Sequence, residues 1–141
     1  MKDFSSPIVN TYSLETTIAE KLDAILDVMQ FSSRMKDYYD IYYLANKFDF
    51  DGEILTEALK RTFENRGYSF NIEQFEEMTA FADDAEVQKK WKAFTRKINI
   101  KTDNFSVVLN TINIFLAKPF TAAIESKKFT ENWTTQNFEW K

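Results

Sequence analysis

The residues that could do chemistry lie in two short charged stretches near the beginning of the sequence. The first stretch contains Lys21, and the second contains Arg34, Lys36, Asp37 and Asp40. Asp37 and Asp40 are three residues apart, so a helix would place both carboxylates on one face. A lysine can bind a triphosphate as a point charge on a long side chain, and a carboxylate can accept the proton of an attacking hydroxyl. These residue types are therefore compatible with the transfer of a nucleotide.

The same charges also have a purely structural interpretation. Lys36 and Asp40 are spaced i, i+4, and such a pair on a helix surface contributes only about 0.3–0.5 kcal/mol. Two tyrosine pairs within residues 38–43 have the same spacing, which suits packing as well as base stacking. Taken alone, the residue types favour a surface salt-bridge network.

Two helices joined by a short connection would position these charges. Ser13 is a suitable N-cap of the first helix, whose apolar residues recur every three or four positions up to Met29. Ser32 or Ser33 could cap the second helix. Helices with such a short connection pack antiparallel. We therefore expect Lys21 to lie close to the two aspartates, on an exposed concavity.

Further helical patterns occupy the rest of the chain. Asp51 and either Asp83 or Asp84 are predicted N-caps, and Gly67 is predicted to end a helix in the left-handed conformation. Pro119 is expected to kink or restart the last helix. The aromatic residues of the tail, 129–141, are expected to dock on the helices. Asn71 and Gln74 are predicted to form a capping box, and the predicted helices span about 14–30, 34–48, 52–65, 72–82, 85–98 and 104–117.

Composition favours an all-α domain and limits the chemistry. The 141 residues are 44% hydrophobic, enough for one core, and include only two Gly and two Pro. With no Cys and no His, thiol and histidine catalysis are excluded, and any metal would be Mg²⁺ or a similar hard cation on carboxylates. The sequence suggests a cytoplasmic protein, since no signal peptide or membrane-spanning segment is evident.

Charge is distributed unevenly in the second half of the chain. Residues 71–86 contain six acidic and no basic residues, whereas residues 89–101 contain six basic and no acidic residues. Two antiparallel helices could pair across this seam. Alternatively, a strip of Lys89, Lys92 and Arg96 could contact an RNA backbone, since the net charge of −4 provides no global attraction to nucleic acid.

The residue patterns of the two charged stretches resemble those of the AbiEii/AbiGii-type toxins, which are nucleotidyltransferase-like proteins of abortive-infection and toxin–antitoxin systems. That family reads approximately E-x-x-x-AEK-[LI] and then R-x-[KR]-D-x-x-D-[LI]. The resemblance covers about residues 12–45 and is loose afterwards. The matching residues are Glu15, Ala19, Glu20, Lys21, Leu22, Arg34, Lys36, Asp37, Asp40 and Ile41.

The resemblance implies a role for each part of the charged cluster. Lys21 and one aspartate match active-site positions of the family, with Asp37 the first choice and Asp40 the second. Lys21, Arg34 and Lys36 would contact phosphate. The family would use an NTP and Mg²⁺, but its metal-binding GS-x(n)-D-x-D motif is absent here. We therefore expect no metal ligand in this chain and no nucleotide transfer by the chain alone.

The resemblance also implies the domain organisation. Residues 1–12 would be a short β-strand at the end of a missing nucleotidyltransferase core, and residues 13–141 would be its C-terminal helical domain of about six helices. The implied partners are that core, a cognate antitoxin and RNA, with no membrane. Two alternatives remain open: a non-catalytic helical module that binds antitoxin, RNA or another protein, and an unrelated helical bundle with a surface lattice of charges.

Overall fold

The computed structural model describes residues 13–28, 31–67 and 70–141. The predicted strand within residues 1–12, and with it the proposed boundary at residue 12, lies outside this part of the chain, as does Met29. The described residues form six α-helices and a small antiparallel sheet, which confirms the mostly helical fold. The helices are α1 (Leu14–Val28), α2 (Phe31–Lys47), α3 (Gly52–Arg66), α4 (Ile72–Ala80), α5 (Ala85–Lys97) and α6 (Phe105–Glu125), and a 3₁₀ turn (Phe81–Asp83) follows α4.

Most of the predicted helix caps are present. The Ser13 hydroxyl accepts from the Thr16 amide, and Asp51 caps α3 by accepting from the first amides of that helix. Gly67 ends α3 with φ +77°, and of the two candidates for α5 it is Asp84 that caps the helix. Asn71 and Gln74 form the reciprocal capping box of α4. Local sequence therefore defines these helix ends correctly.

The predicted start of α2 was wrong. The helix begins at Phe31, so residues 32 and 33 lie inside its first turn instead of capping it. Ser, Thr, Asn and Asp are preferred at N-caps, but a Ser in the first turn costs little helix stability.

Helix α6 forms the centre of the core. It packs against α2, α3, α4 and α5, and its residues Phe105, Leu109, Phe115 and Phe120 are fully buried. Among the described residues it is the one helix long and apolar enough to cross a membrane, with a mean hydropathy of 1.5. Half of its apolar 18-residue stretch is buried inside the protein, as expected for a core helix.

Helix α6 continues through Pro119, so the predicted restart at this residue was wrong. A proline in a helix has no N–H for the carbonyl four residues earlier, which here belongs to Phe115. The indole N–H of Trp140 donates to that carbonyl oxygen at 3.0 Å. The tail therefore supplies the hydrogen bond that the proline removes, and α6 continues to Glu125.

The three-stranded sheet was not predicted. Strand β1 (Phe50–Asp51) pairs with β2 (Asn132–Thr134), and β2 pairs with β3 (Glu139–Trp140), both antiparallel. Trp133 is fully buried, and its indole N–H donates to the Ala45 carbonyl at 2.9 Å. That carbonyl lies in the last turn of α2, where no helical N–H follows to bind it. The predicted docking of the tail aromatics is confirmed for the two buried tryptophans, whereas Phe138 is 43% exposed.

Candidate functional site

Helices α1 and α2 pack against each other and bring the two charged stretches together. Ala19, Leu22 and Ile41 are fully buried at or beside the charged residues. The apolar members of both motifs therefore belong to the core, and they hold Lys21 of α1 against the charged face of α2. Lys21 and the two aspartates lie at similar distances along the chain from the connection, as antiparallel packing requires.

Lys21 lies between the two aspartates. Its Nζ is 2.9 Å from Asp40 Oδ2 and 3.4 Å from Asp37 Oδ1. The side chains are 22% exposed for Lys21, 10% for Asp40 and 18% for Asp37. The predicted proximity of these three residues is confirmed, and their limited exposure distinguishes them from an ordinary surface pair.

Two further cations contact the same carboxylates. Lys36 Nζ lies 3.0 Å from one oxygen of Asp40 and 3.1 Å from the other, and Arg34 Nη1 lies 3.6 Å from Asp37 Oδ2. Lys36 is half exposed, and the buried Nε of Arg34 has no hydrogen-bond partner among the described residues. Three cations thus surround two carboxylates, which leaves the site with one excess positive charge.

Electrostatics keep Lys21 charged. Burial, the largest single influence, acts to lower its pKa, but the hydrogen bond and charge of Asp40 together with the charge of Asp37 outweigh it. The pKa of Lys21 is therefore raised above its usual value. Tyr38, the residue after Asp37, is 1% exposed, and burial followed by the Asp37 charge raises its pKa. A permanently protonated lysine is suited to holding an anion such as a phosphate.

The donor set does not fit a metal ion. No group of three carboxylates with the spacing of a metal site occurs in the described part of the chain. Asp37 and Asp40 are already bound by cations, which would compete with Mg²⁺. Asp49 and Asp51 form an Asp-x-Asp pair, but Asp49 accepts from the Thr135 amide and Asp51 caps α3. These helices therefore provide no Mg²⁺ site of their own.

The concavity expected at the cluster stays a prediction. Five clefts on the described surface, with volumes from about 200 to about 640 Å³, are lined by other residues. Lys21 nevertheless keeps 22% of its side chain exposed while its Nζ contacts both carboxylates.

An ion-pair network that was not predicted from the sequence joins α1 to α3. Arg66 Nη1 lies 3.0 Å from Asp23 Oδ2, and Arg66 Nη2 lies 3.1 Å from Asp27 Oδ2. Asp23 is 2% exposed, and its other oxygen has no hydrogen-bond partner among the described residues. Burial raises the pKa of Asp23, while Arg66 acts against that shift. The spacing of Asp23 and Asp27, i and i+4 on α1, was the available signal.

The acidic and basic segments do not pair as one interpretation predicted. Helix α4 packs on α6 and α1, whereas α5 packs on α2 and α6, and no ion pair joins α4 to α5 among the described residues. Lys89, Lys92 and Arg96 lie exposed along α5. We call these three residues the α5 basic strip.

The fold and the site together define a helical domain whose first two helices present a half-buried cluster of lysine, arginine and aspartate. Residues 1–125 match the family described as Nucleotidyl transferase AbiEii toxin, Type IV TA system. This match covers most of the chain, and the chain therefore belongs to the AbiEii family of toxin–antitoxin systems. No curated protein and no solved structure matches the chain significantly.

Proposed function

We propose that α1 and α2 supply part of the active site of an AbiEii-type nucleotidyltransferase. Lys21 would bind the triphosphate of an NTP, with Arg34 and Lys36 as further phosphate contacts. An aspartate of α2 would act on the acceptor hydroxyl. The observation that carries this proposal is the position of Lys21 Nζ, within 3.4 Å of both Asp37 and Asp40 in a half-buried cluster.

The contacts favour different roles for the two aspartates. Asp40 is the more buried and is held by both Lys21 and Lys36 at 3.0 Å or less. Asp37 is more exposed, and its ion pairs with Lys21 and Arg34 are longer, at 3.4 and 3.6 Å. A proton acceptor must be reachable and loosely held. We therefore assign proton transfer to Asp37 and the positioning of Lys21 to Asp40.

The transfer step follows from these roles. The acceptor hydroxyl oxygen attacks the α-phosphorus of the NTP, and its proton passes to Asp37. The bond between the α-phosphorus and the bridging oxygen breaks, and pyrophosphate leaves with its negative charge near Lys21 and Arg34. Phosphate transfer of this kind depends mainly on positioning and on electrostatic stabilisation of the developing charge.

Further components belong to the proposal. Because the donor set of α1 and α2 does not fit Mg²⁺, the metal ligands would come from a nucleotidyltransferase core outside the helical domain. The acceptor would be RNA, and a cognate antitoxin would control the toxin in the cytoplasm. The chain by itself is then expected to transfer no nucleotide.

Nucleotide binding tests the role of Lys21 directly. Titration calorimetry with ATP should show binding that Lys21→Ala weakens about 10- to 100-fold, as expected for the loss of one charged hydrogen bond. Lys90→Ala is a matched control, since Lys90 is an exposed lysine on α5 without an ion pair among the described residues. Equal affinities of the two variants would remove the support for Lys21.

Incorporation of label tests catalysis. The purified chain is incubated with labelled NTPs, Mg²⁺ and bulk RNA, and the expected result is no incorporation. Incorporation that Lys21→Ala abolishes would show that the chain is a complete enzyme and that no additional core is needed. Addition of the upstream core should otherwise confer transfer that depends on Lys21 and Asp37.

A second candidate function is a non-catalytic binding module. This alternative is supported by the ion pairs within the cluster, because each of its five charged side chains contacts a side chain of opposite charge. In this case Lys21→Ala would lower stability without changing nucleotide affinity. The ATP titration therefore separates the two functions.

A further inference from the structure

A second face of α2 carries aromatic and basic side chains outside the charged cluster. Tyr39, Tyr43 and Lys47 are spaced at i, i+4 and i+8, which keeps them on neighbouring positions of the helix surface. The two tyrosine rings lie 6.2 Å apart between centroids, and Lys47 Nζ lies 5.9 Å from the centroid of Tyr43. Tyr43 is 38% exposed, whereas the neighbouring Tyr38 is buried in the core. Tyr39 is half-buried against the core and Tyr43 is exposed, so the pair extends from the edge of the core to the solvent.

This face forms one wall of a cleft of about 450 Å³. The opposite wall is the segment from Lys101 to Asp103, between α5 and α6. The indole N–H of Trp91 donates to the Asp103 carbonyl at 3.0 Å, and the Tyr42 hydroxyl donates to the Asp103 carboxylate. The wall is therefore anchored at two points, and the cleft is built into the fold.

The charges at the cleft differ from those of the cluster. Lys47 and Lys101 are exposed, and neither forms an ion pair within the described residues. The Asp103 carboxylate is the one acidic group in the wall, and it is engaged by Tyr42. The cleft therefore carries two lysines and one carboxylate, an excess of one positive charge, beside two tyrosine rings.

We propose that this aromatic–basic cleft binds single-stranded nucleic acid, with bases stacked on Tyr39 and Tyr43 and phosphates near Lys47 and Lys101. Every base has a ring face that can stack on an aromatic side chain, and lysines track the phosphate backbone. A duplex conceals its base faces, so a single strand is the form that fits. The binding needs no NTP and no transfer step, and it therefore extends beyond the proposed function.

The α5 basic strip provides an internal comparison. It carries three exposed cations, more than the cleft, but the aromatic residues of the same helix, Trp91 and Phe94, pack against the core. Purely electrostatic binding would favour the strip, because each neutralised phosphate contributes through release of counterions. Binding that depends on stacking would favour the cleft. Variants of the two surfaces separate these modes.

The test is fluorescence anisotropy with a labelled oligouridine of about ten nucleotides, a length within the range of known single-strand sites. In the full chain, Tyr39→Ala/Tyr43→Ala should weaken binding by at least about 30-fold, as expected for the loss of two stacked bases, and Tyr39→Phe/Tyr43→Phe should retain the wild-type affinity. Lys47→Ala/Lys101→Ala should reduce the slope of log Kd against log salt by about 1.4, at about 0.7 per phosphate. Lys89→Ala/Lys92→Ala in the α5 basic strip is the matched control. If RNA binds in the cleft by stacking, this variant should change Kd by less than about threefold.

Three outcomes would overturn the proposal. One is the absence of binding up to about 100 µM RNA, the upper range of non-specific affinities. Another is an unchanged Kd in Tyr39→Ala/Tyr43→Ala. The third is a greater loss from the control pair on α5 than from Lys47→Ala/Lys101→Ala. Because the assay contains no NTP, RNA binding can succeed while ATP binding at Lys21 fails, and the reverse can also occur.

Discussion

The coupling between Lys21 and Asp40 distinguishes a specific site from a solvated lattice of charges. Asp40 Oδ2 contacts two lysines at almost the same distance, 2.9 Å for Lys21 and 3.0 Å for Lys36. At equal dielectric constant the two Coulomb energies would be nearly equal. Any difference between the two coupling energies must therefore come from solvent exposure. The side chain of Lys21 is 22% exposed, whereas that of Lys36 is 51% exposed.

The expected magnitudes differ severalfold. The Lys36–Asp40 pair combines an i, i+4 spacing with a half-exposed lysine, and such pairs on a helix surface contribute about 0.3–0.5 kcal/mol. A hydrogen bond between charged groups that are largely removed from water contributes about 1.5–3 kcal/mol. Because Lys36 continues to neutralise Asp40 when Lys21 is removed, we expect a coupling of about 1–2 kcal/mol for Lys21–Asp40.

Double-mutant cycles measure both couplings. One cycle combines Lys21→Ala with Asp40→Ala, and the matched cycle combines Lys36→Ala with Asp40→Ala. Urea unfolding can be followed by tryptophan fluorescence, since all three tryptophans are at most 8% exposed. At 1 M NaCl, where the screening length is about 3 Å, the Lys36 coupling should vanish and most of the Lys21 coupling should remain. Equal couplings in the two cycles, or a Lys21 coupling below about 0.5 kcal/mol, would refute the reasoning.

Three further predictions concern the frame around the site. Gly52→Ala should destabilise the fold by about 1–3 kcal/mol in urea unfolding, because the added Cβ would lie 2.4 Å from a backbone carbonyl oxygen. Trp140→Phe should cost about 1–3 kcal/mol by leaving the Phe115 carbonyl without a donor, and adding Pro119→Ala should recover part of this loss by restoring a helical N–H. Because burial raises the folded-state pKa of Asp23, its contribution to stability is present below the unfolded value of about 3.9 and is lost as pH rises through the folded pKa. The difference in unfolding free energy between wild type and Asp23→Asn should therefore favour wild type more at about pH 3.5 than at pH 7, and a pH-independent difference would contradict this.

The sequence predicts those features that depend on neighbouring residues. A helix cap at Ser13, Asp51 or Asn71 needs only a side chain that accepts a hydrogen bond from a backbone amide two or three residues later. All three of these hydrogen bonds are present. The proximity of Lys21 to the aspartates also follows from local information, since the short connection between α1 and α2 leaves few ways to pack them.

The sheet and the ion-pair network were not predictable in this way. Strand β1 and its partner β2 are only two and three residues long and are about eighty residues apart in the chain, too short for an alternating pattern to be recognised. The pairing of Arg66 with Asp23 likewise depends on how α3 crosses α1, which no local pattern specifies. The roles of Asp37 and Asp40 could be ranked only after their exposure and distances were known.

Helix α2 carries both proposed binding surfaces, and tryptophan side chains fix its surroundings. Trp133 donates to the Ala45 carbonyl in the last turn of α2, which ties the end of that helix to the tail. Trp91 donates to the Asp103 carbonyl, which fixes the wall facing the tyrosines of α2. Both acceptors lack a helical N–H partner, one because the helix ends and the other because it precedes α6. A buried indole N–H needs an acceptor as much as each carbonyl needs a donor. The end of α2 and the wall of the cleft are therefore held partly by hydrogen bonds of buried tryptophans, and substitutions at Lys21, Tyr39 or Tyr43 leave these two hydrogen bonds in place.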